Sequence, residues 1–405
     1  MTQTLYKIDH IAPGTPLPFD AFDANGHLLL KKGFVVESSE QATRLIARGL
    51  FSSGSTAGGA APRHAGSADG AFANPLFTTA AKSSHVERVS VHAMLDTCHQ
   101  KLADVLENPP QDGTFAAVVR EIATAVQRAC DLDPDAALAR NLVVRLRPHT
   151  TRHSLDCAIL VDIVKRSSLP DHKERLALVC AALTMNLAAV AFHERCYAQS
   201  EPLSPAEKVE KMAHPARGAQ KLRELGVDDA GWISIVEQHH ESPNGSGYPA
   251  GLMAKDIVPA ALTLSIADRY CAMVSERAHR PGRNPGNALQ ELLLIMGKNE
   301  VDAAAASRFI REIGIYPPGA IVTLVNGEAA MVVSRTLNLK HPIVRAFTDS
   351  HGKPRPEYIK HATSDARFAI RSVVHPGETP VVFDLGRMWH PVTVEIDDQA
   401  GSDGC

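Results

Sequence analysis

The 405-residue chain is poor in aromatic residues, with 5% Phe, Trp and Tyr and only two tryptophans. It also lacks a surplus of either charge: 42 Lys+Arg stand against 45 Asp+Glu, a formal net charge of -3. A dedicated nucleic-acid binder would carry a basic excess, so that class is excluded. No uninterrupted apolar run reaches the roughly 18 residues that a membrane span needs. The opening MTQTLYKIDHIAPGTPLPFD lacks the basic-then-apolar pattern of a secretory signal. Seven cysteines contain no CxxC pair, which fits a reducing compartment and argues against a disulfide framework or a zinc–thiolate site. These absences predict a cytoplasmic protein whose partners include neither nucleic acid nor membrane. What the chain does have is 44% hydrophobic residues, enough for sizeable cores, and a length of about two to three domains. It also has 19 histidines, and histidine is the commonest metal ligand.

Composition divides the chain. Residues 1–51 read as a small β/α module: Asn25-Gly26 between apolar runs signals a hairpin, and Ala42, Leu45 and Ile46 have helical spacing. Residues 52–85 turn to Ser, Gly and Ala, a composition that buries too little apolar area to offset chain entropy, and are expected to be a flexible linker. From 86 to 315 the pattern is helical nearly throughout. Pro148 suits a first helical turn. ERLALVCAALTMNLAAVAF, ending at Phe192, is apolar on all sides and predicts one central buried helix. Residues 316–393 turn to β character, with Asn326-Gly327 predicting a second hairpin. Residues 394–405 read as an acidic disordered tail.

The histidines cluster. Eight of the 19 fall between His149 and His279. His153, His214 and the pair His239-His240 sit in contexts that suit ligation, and Asp268 follows on a helix. His149 and His153, four apart, share one helical face.

The stretch HHESPNGSGYPAGL, His239 to Leu252, resembles the HHExxDGxGYPxGL signature of the HD-GYP domain family. KMAHPARGAQKL, SIADRYCAMVSERAHR and TTRHSLDCAILV resemble three further motifs of that family, in order, within 140–315. The resemblance implies a mainly α, HD-superfamily helical domain, here flanked by a small N-terminal α+β module and a small C-terminal β-rich module. It also implies bacterial signalling through cyclic di-GMP, hydrolysed at two or three iron or manganese ions. Such a metal pair, bridged by a carboxylate and a hydroxide, activates water and clamps the phosphodiester. Carried over, His153, His214, His239 and Asp268 would be ligands. His240 would serve a third metal or support a ligand, and His149 sits where some members place a third-metal Glu. Asn244, Gly245, Gly247, Tyr248 and Pro249 would form the substrate-access loop, which in the family also meets diguanylate cyclase partners. Arg277 and Arg280 would meet phosphate, although ion pairs that hold the helix explain such arginines more often.

The chain departs from the family at the residues that name it. Met185 stands for the His of the dyad, Asn186 for its Asp, Ala189 for the following Lys, and Asn244 for the Asp before the GYP glycine. Asn186 keeps the shape of Asp but not its charge, and a thioether does not suit Fe(II) or Mn(II). Two divalent ions need anionic ligands to offset their repulsion, and Asp268 is the one clear carboxylate left among the matched positions. The expectation is one divalent transition metal at most, Fe or Mn, held by His153, His214 or His239 with Asp268. If the site is fully degenerate it would hold none. Met185 reads as core packing. Asn186 reads as a core amide hydrogen-bonded to a neighbouring histidine, and Glu241 as a structural residue. His172, His193 and His279 match no motif and read as surface residues.

Three functions compete on this sequence. The first is a catalytically impaired HD-GYP signalling protein that binds cyclic di-GMP, a related nucleotide or a protein partner. The second is an active phosphodiesterase with a rearranged site. The third is a scaffold whose terminal modules carry partner specificity. The missing dyad favours the first.

Overall fold

In a computed structural model of the chain, the residues described are 5–7, 21–22, 28–31, 34–35, 51–53, 84–277, 280–296, 300–374 and 384–397. The expected Asn25-Gly26 turn, the helix around 42–46, most of the linker and residues 398–405 lie outside them. The chain divides into two compact units, Met1–His85 with Ile396–Cys405, and Val86–Glu395. In the first, β1 (Leu5–Lys7), β2 (Ala21–Phe22), β3 (Leu28–Leu30) and β4 (Phe51–Ser53) form an antiparallel sheet in the order β1-β4-β2-β3.

The second unit is mainly helical. After β5 (Ser84–Val89) come α1 (Val91–Glu107), α2 (Phe115–Leu132), α3 (Pro134–Val143), α4 (His149–Lys165) and α5 (His172–Thr184). Then follow α6 (Val190–Ala198), α7 (Pro205–Glu224), α8 (Ala230–Gln238), α9 (Pro259–Val274), α10 (Pro285–Met296) and α11 (Glu300–Ile313). Local chemistry starts many of these helices. The side chains of Ser90, Asp133, Asp171 and Asp229 accept hydrogen bonds from backbone N–H groups of the first turn, which otherwise have no partner. At α7 the Ser204 hydroxyl and the Glu207 carboxylate cap reciprocally, with Pro205 at the first helical position.

The central helix is α4. Every residue from His149 to Val164 is buried, and it packs against α5, α9, α11, α2 and α1. Such burial demands that its charges be paired. The fully buried Asp162 accepts hydrogen bonds from Arg175 Nε (2.8 Å), Arg166 Nη2 (3.0 Å) and Gln127 Nε2 (3.2 Å).

The single helix expected to end at Phe192 is two. Helix α5 stops at Thr184, a 3-10 turn covers Leu187–Ala189, and α6 begins at Val190. The backbone turns at Asn186 (φ -104°, ψ 11°) and Ala189 (φ -139°, ψ 21°). Hydropathy could not mark this break, because both sides are apolar and both are buried. The segment His172–Ala198 does have the length and hydropathy of a membrane span, contrary to the expectation that none exists, but 67% of its apolar window is buried inside the fold.

The C-terminal sheet has the order β10-β6-β7-β8-β9, all antiparallel, from β6 (Ile321–Leu324), β7 (Ala329–Ser334), β8 (Ile343–Thr348), β9 (Pro354–Ala362) and β10 (Ile370–Val374). The Asn326-Gly327 hairpin joins β6 to β7, with Gly327 at φ +92°. This sheet is not a separate appendage: it belongs to the same compact unit as the helices. Asp135, in the first turn of α3, receives the Arg335 guanidinium and the Ser334 hydroxyl (2.7 Å), and Arg335 also reaches the Glu312 carbonyl. Gly319 (φ +87°) lies so close to α3 that a Cβ would come 2.8 Å from the Ala139 carbonyl oxygen. Beyond the sheet, β11 (Val392–Asp397) pairs with β5. The tail expected from residue 394 is therefore strand as far as Asp397, because its backbone groups find partners on β5.

Candidate metal centre

Five elements deliver side chains to one buried region. His149 and His153 come from α4, His193 from α6, His214 from α7, and Asp268 from α9. His239 and His240 come from the turn that ends α8.

Within it, the ligand atoms of His214, His239 and His240 lie within 4.8 Å of one another. Two of these rings are fixed by the backbone. His214 Nδ1 donates to the Lys211 carbonyl at 2.6 Å, and His239 Nδ1 donates to the Val236 carbonyl at 2.7 Å, each three residues back on its own helix. With both Nδ1 atoms protonated, the Nε2 atoms carry bare lone pairs, and they face each other at 3.2 Å. Two lone pairs at that distance repel unless a cation lies between them. Orienting a ligand imidazole through its other ring nitrogen is the usual support for a metal. Burial first, and then the neighbouring imidazoles, lower the pKa of His214 to about 3. Burial also lowers His239 and His240, so the rings are neutral and free to ligate at neutral pH.

The second group is His153, Cys157 and Asp268. His153 Nε2 donates to Asp268 Oδ1 at 2.7 Å, and His240 Nδ1 lies 3.9 Å from Asp268 Oδ2. Burial raises the Asp268 pKa, but the hydrogen bond from His153 and the surrounding imidazoles outweigh it and hold the carboxyl well below its usual range. Burial pushes the Cys157 thiol up. Of the three histidines that the sequence offers as partners of Asp268 about one ion, His153 is the one that engages it, while His214 and His239 belong to the other group.

The other candidates fall into place around these groups. His149 stacks on Tyr197 with ring centroids 3.7 Å apart and belongs to neither ligand group, and its Nε2 is buried without a partner among the described residues. Met185 is fully buried in the hydrophobic core, as expected of packing. Asn186 is 4% exposed, yet its side chain makes no hydrogen bond among the described residues, so the expected bond to a histidine is absent. Arg280 donates to the Ala272 carbonyl (2.7 Å) and the Met273 carbonyl (3.3 Å), which commits it to the end of α9 rather than to phosphate. Arg277 Nε is buried without a partner among the described residues.

His193 had been read as a surface residue. Instead it is half-buried, edge-on to His214 with ring centroids 5.3 Å apart, and its buried Nε2 has no partner among the described residues. Burial, then the charge of His153, lower its pKa to about 3. The sequence offered one signal for it: a histidine seven residues after the altered dyad, on the same turn of chain. His172 pairs with Asp131 at the surface as expected, and His279 lies outside the described residues.

The GYP loop closes over His240, whose ring stacks on Tyr248 at 4.7 Å. Glu241 ties the loop down. Its Oε1 accepts from the N–H groups of Ala250 (2.7 Å) and Gly251 (3.1 Å), and its Oε2 from Leu252 N–H (2.9 Å). Asn244 Oδ1 accepts from the backbone N–H (3.1 Å) and hydroxyl (2.6 Å) of Ser246, so this amide shapes the turn where the signature has an Asp. Gly245 takes φ +74° in the same turn. At Gly247 a Cβ would stand 2.3 Å from Ser242 N. Beside the loop is a cavity of about 310 Å³ lined by His240, Asn244, Ser246, Tyr248, Arg269 and Met296.

Residues 137–304 match the HD domain family. That stretch carries an HD domain. A cyclic di-GMP phosphodiesterase of Pseudomonas aeruginosa is 29% identical over 248 residues, 60% of this chain and 58% of that protein. A cyclic di-GMP phosphodiesterase of Thermotoga maritima is 38% identical over 83 residues, 20% of this chain and 21% of that protein. A 3'3'-cGAMP-specific phosphodiesterase of Vibrio cholerae is 26% identical over 152 residues, 38% and 32% of the two chains. The chain thus spans less than two thirds of each relative. A solved HDG"Y"P protein of Bdellovibrio bacteriovorus covers 76% of this chain and 98% of its own at TM-score 0.43 and 17% identity, too loose to argue from.

HD domains work with metal ions. A pair of ions would have to share Asp268, the one carboxylate in the two ligand groups, which is hydrogen-bonded to His153. A single ion at the three imidazoles does fit.

Proposed function

We propose that this chain is a signalling protein of the cyclic di-GMP pathway that binds a cyclic dinucleotide and hydrolyses it weakly or not at all. The observation that carries the reading is the dyad position. Met185 is packed in the core and Asn186 brings no charge, so the carboxylate that would bridge two ions and hold their hydroxide is gone. The relatives named as cyclic di-GMP and 3'3'-cGAMP phosphodiesterases supply the ligand class. Arg277, whose buried Nε has no partner among the described residues, is the residue we assign to phosphate. Asn244, Ser246 and Pro249 are exposed on the GYP loop, which leaves that loop open to a protein partner such as a diguanylate cyclase.

The test is calorimetric titration of the full chain with cyclic di-GMP and with 3'3'-cGAMP, alongside chromatography of the products after loading with Fe(II) or Mn(II). Binding without turnover supports the proposal, and absence of binding overturns it. Turnover at rates typical of working phosphodiesterases would favour a second reading, an active enzyme with a rearranged site. The retention of both ligand groups is the observation behind that alternative.

A further inference from the structure

We infer that this chain has exchanged a carboxylate-bridged metal pair for a one-metal, four-histidine centre: His214, His239 and His240 hold a single zinc, and His193 meets its fourth coordination position. The inference deepens the proposed function, since it rests on reading this region as the domain's ligand site.

The argument begins with geometry. The Nε2 atoms of His214 and His239 are 3.2 Å apart, with their lone pairs turned inward by the hydrogen bonds at Nδ1. Zinc–nitrogen bonds of about 2.0–2.1 Å at a tetrahedral angle put two ligand nitrogens about 3.3–3.4 Å apart. The pair therefore needs almost no movement to take an ion. Other cations that bind imidazole have similar spacings, so the choice among them is chemical. Manganese and magnesium favour carboxylate and water oxygens, whereas imidazoles suit zinc, and affinity for nitrogen donors rises from manganese through iron toward copper and zinc. This group has three imidazoles and no carboxylate. The nearest carboxylate, Asp268, is hydrogen-bonded to His153 and stands 3.9 Å from His240 Nδ1.

His193 is the second strand of the argument. It sits eight residues after Met185, the position where the dyad histidine is missing. The turn at Leu187–Ala189 lets α6 bring it back against the cluster. Its ring stands nearly perpendicular to that of His214, at 88°, and its Nε2 is buried with no partner among the described residues. A buried imidazole nitrogen without a hydrogen bond carries a desolvation cost that a ligand in the fourth position would remove. Three protein imidazoles with a further group at the fourth position is also the arrangement in which zinc is commonly held.

The experiment uses the full chain, stripped of metal and then dialysed anaerobically against equimolar Zn(II), Fe(II) and Mn(II). Elemental analysis is expected to find about one zinc per chain with iron and manganese as minor components. Two metals per chain, or iron or manganese in excess of zinc, would overturn the inference. Cobalt(II) then serves as a spectroscopic probe that needs no variant, and an intense visible band of four-coordinate cobalt is expected. His193→Ala should retain one cobalt per chain but change that band, and an unchanged spectrum removes His193 from the site. His239→Ala should lose the metal. No nucleotide enters these measurements. A zinc-loaded chain that ignores cyclic dinucleotides would therefore count against the proposed function alone, and a nucleotide-binding chain with an iron pair against the zinc centre alone.

Discussion

Glu241→Gln offers the sharpest test of how the GYP loop is held over the site. The carboxylate is 2% exposed and accepts three backbone N–H groups, two at Oε1 and one at Oε2. Hydrogen bonds to a charged group contribute about 1.5–3 kcal/mol each, neutral ones about 0.5–1.5. In the amide one oxygen remains, so the best orientation keeps the Ala250 and Gly251 bonds as neutral ones and sets an N–H₂ donor against the Leu252 N–H. Ala250 and Gly251 lie at the surface, where water can replace part of what is lost. The net cost comes to about 2–4 kcal/mol, and it falls on the loop rather than on the whole fold. Opening of residues 250–252 should become about 30- to 1000-fold more frequent, read as amide hydrogen exchange at those positions. The global unfolding midpoint should move little. Exchange at Ala250, Gly251 and Leu252 that stays within threefold of the parent would refute the claim that Glu241 fastens the loop.

Three further predictions address the site and its surroundings. The double reversion Met185→His with Asn186→Asp should raise cyclic di-GMP hydrolysis in iron- or manganese-loaded protein, measured by chromatography of the linear product. Without metal it should be less stable than the parent, because it places a polar ring and an unpaired carboxylate where Met185 and Asn186 are 0% and 4% exposed, and no gain in turnover would show that more than the dyad has been lost. Gly247→Ala should abolish cyclic dinucleotide binding in the same titration, since its Cβ would lie 2.3 Å from Ser242 N and 2.5 Å from Glu241 Cα, both backbone atoms that cannot yield separately; undiminished affinity would remove the loop from the binding site. Metal-free protein should lose stability on acidification between pH 6.5 and 4. The pKa values of His92 (lowered to about 4), His193 and His214 (each to about 3) lie below the ordinary value of 6.5, so in that window the unfolded state binds more protons, at up to about 1.4 kcal/mol per pH unit for each histidine. Asp133, raised by burial to about 6, acts in the opposite sense, so denaturant midpoints that are flat from pH 7 to 5 would contradict the sign of the sum.

Much of the site was legible because it is encoded in short, ordered motifs. His153, His214, His239, His240 and Asp268 do converge, from helices that lie far apart in sequence. What the sequence could not give was how they divide. The partition into three imidazoles on one side and His153 with Asp268 on the other depends on ring orientation, which the Lys211 and Val236 carbonyls set. His193 was missed for a related reason. Its placement follows from the break after Thr184, and a uniformly apolar stretch contains no periodic change to announce a break. The Asn326-Gly327 hairpin, by contrast, was readable, because its glycine must take a positive φ whatever surrounds it. The union of the C-terminal sheet with the helices was not, since it rests on pairs such as Asp135 with Arg335, which are 200 residues apart.

That union changes how the protein can be cut. The sequence suggests a clean boundary near Tyr316, and a fragment ending there would be the natural choice for isolating the helices that carry the two ligand groups. Such a fragment would leave Asp135 without its guanidinium partner and expose the α3 surface against which Gly319 packs. Failure of a fragment truncated there to capture a partner would thus report damage to α3 and its neighbours, not the location of a binding surface. Point substitutions on the exposed faces of β9 and β10 keep the helices intact, and they are the way to ask whether the sheet selects a partner.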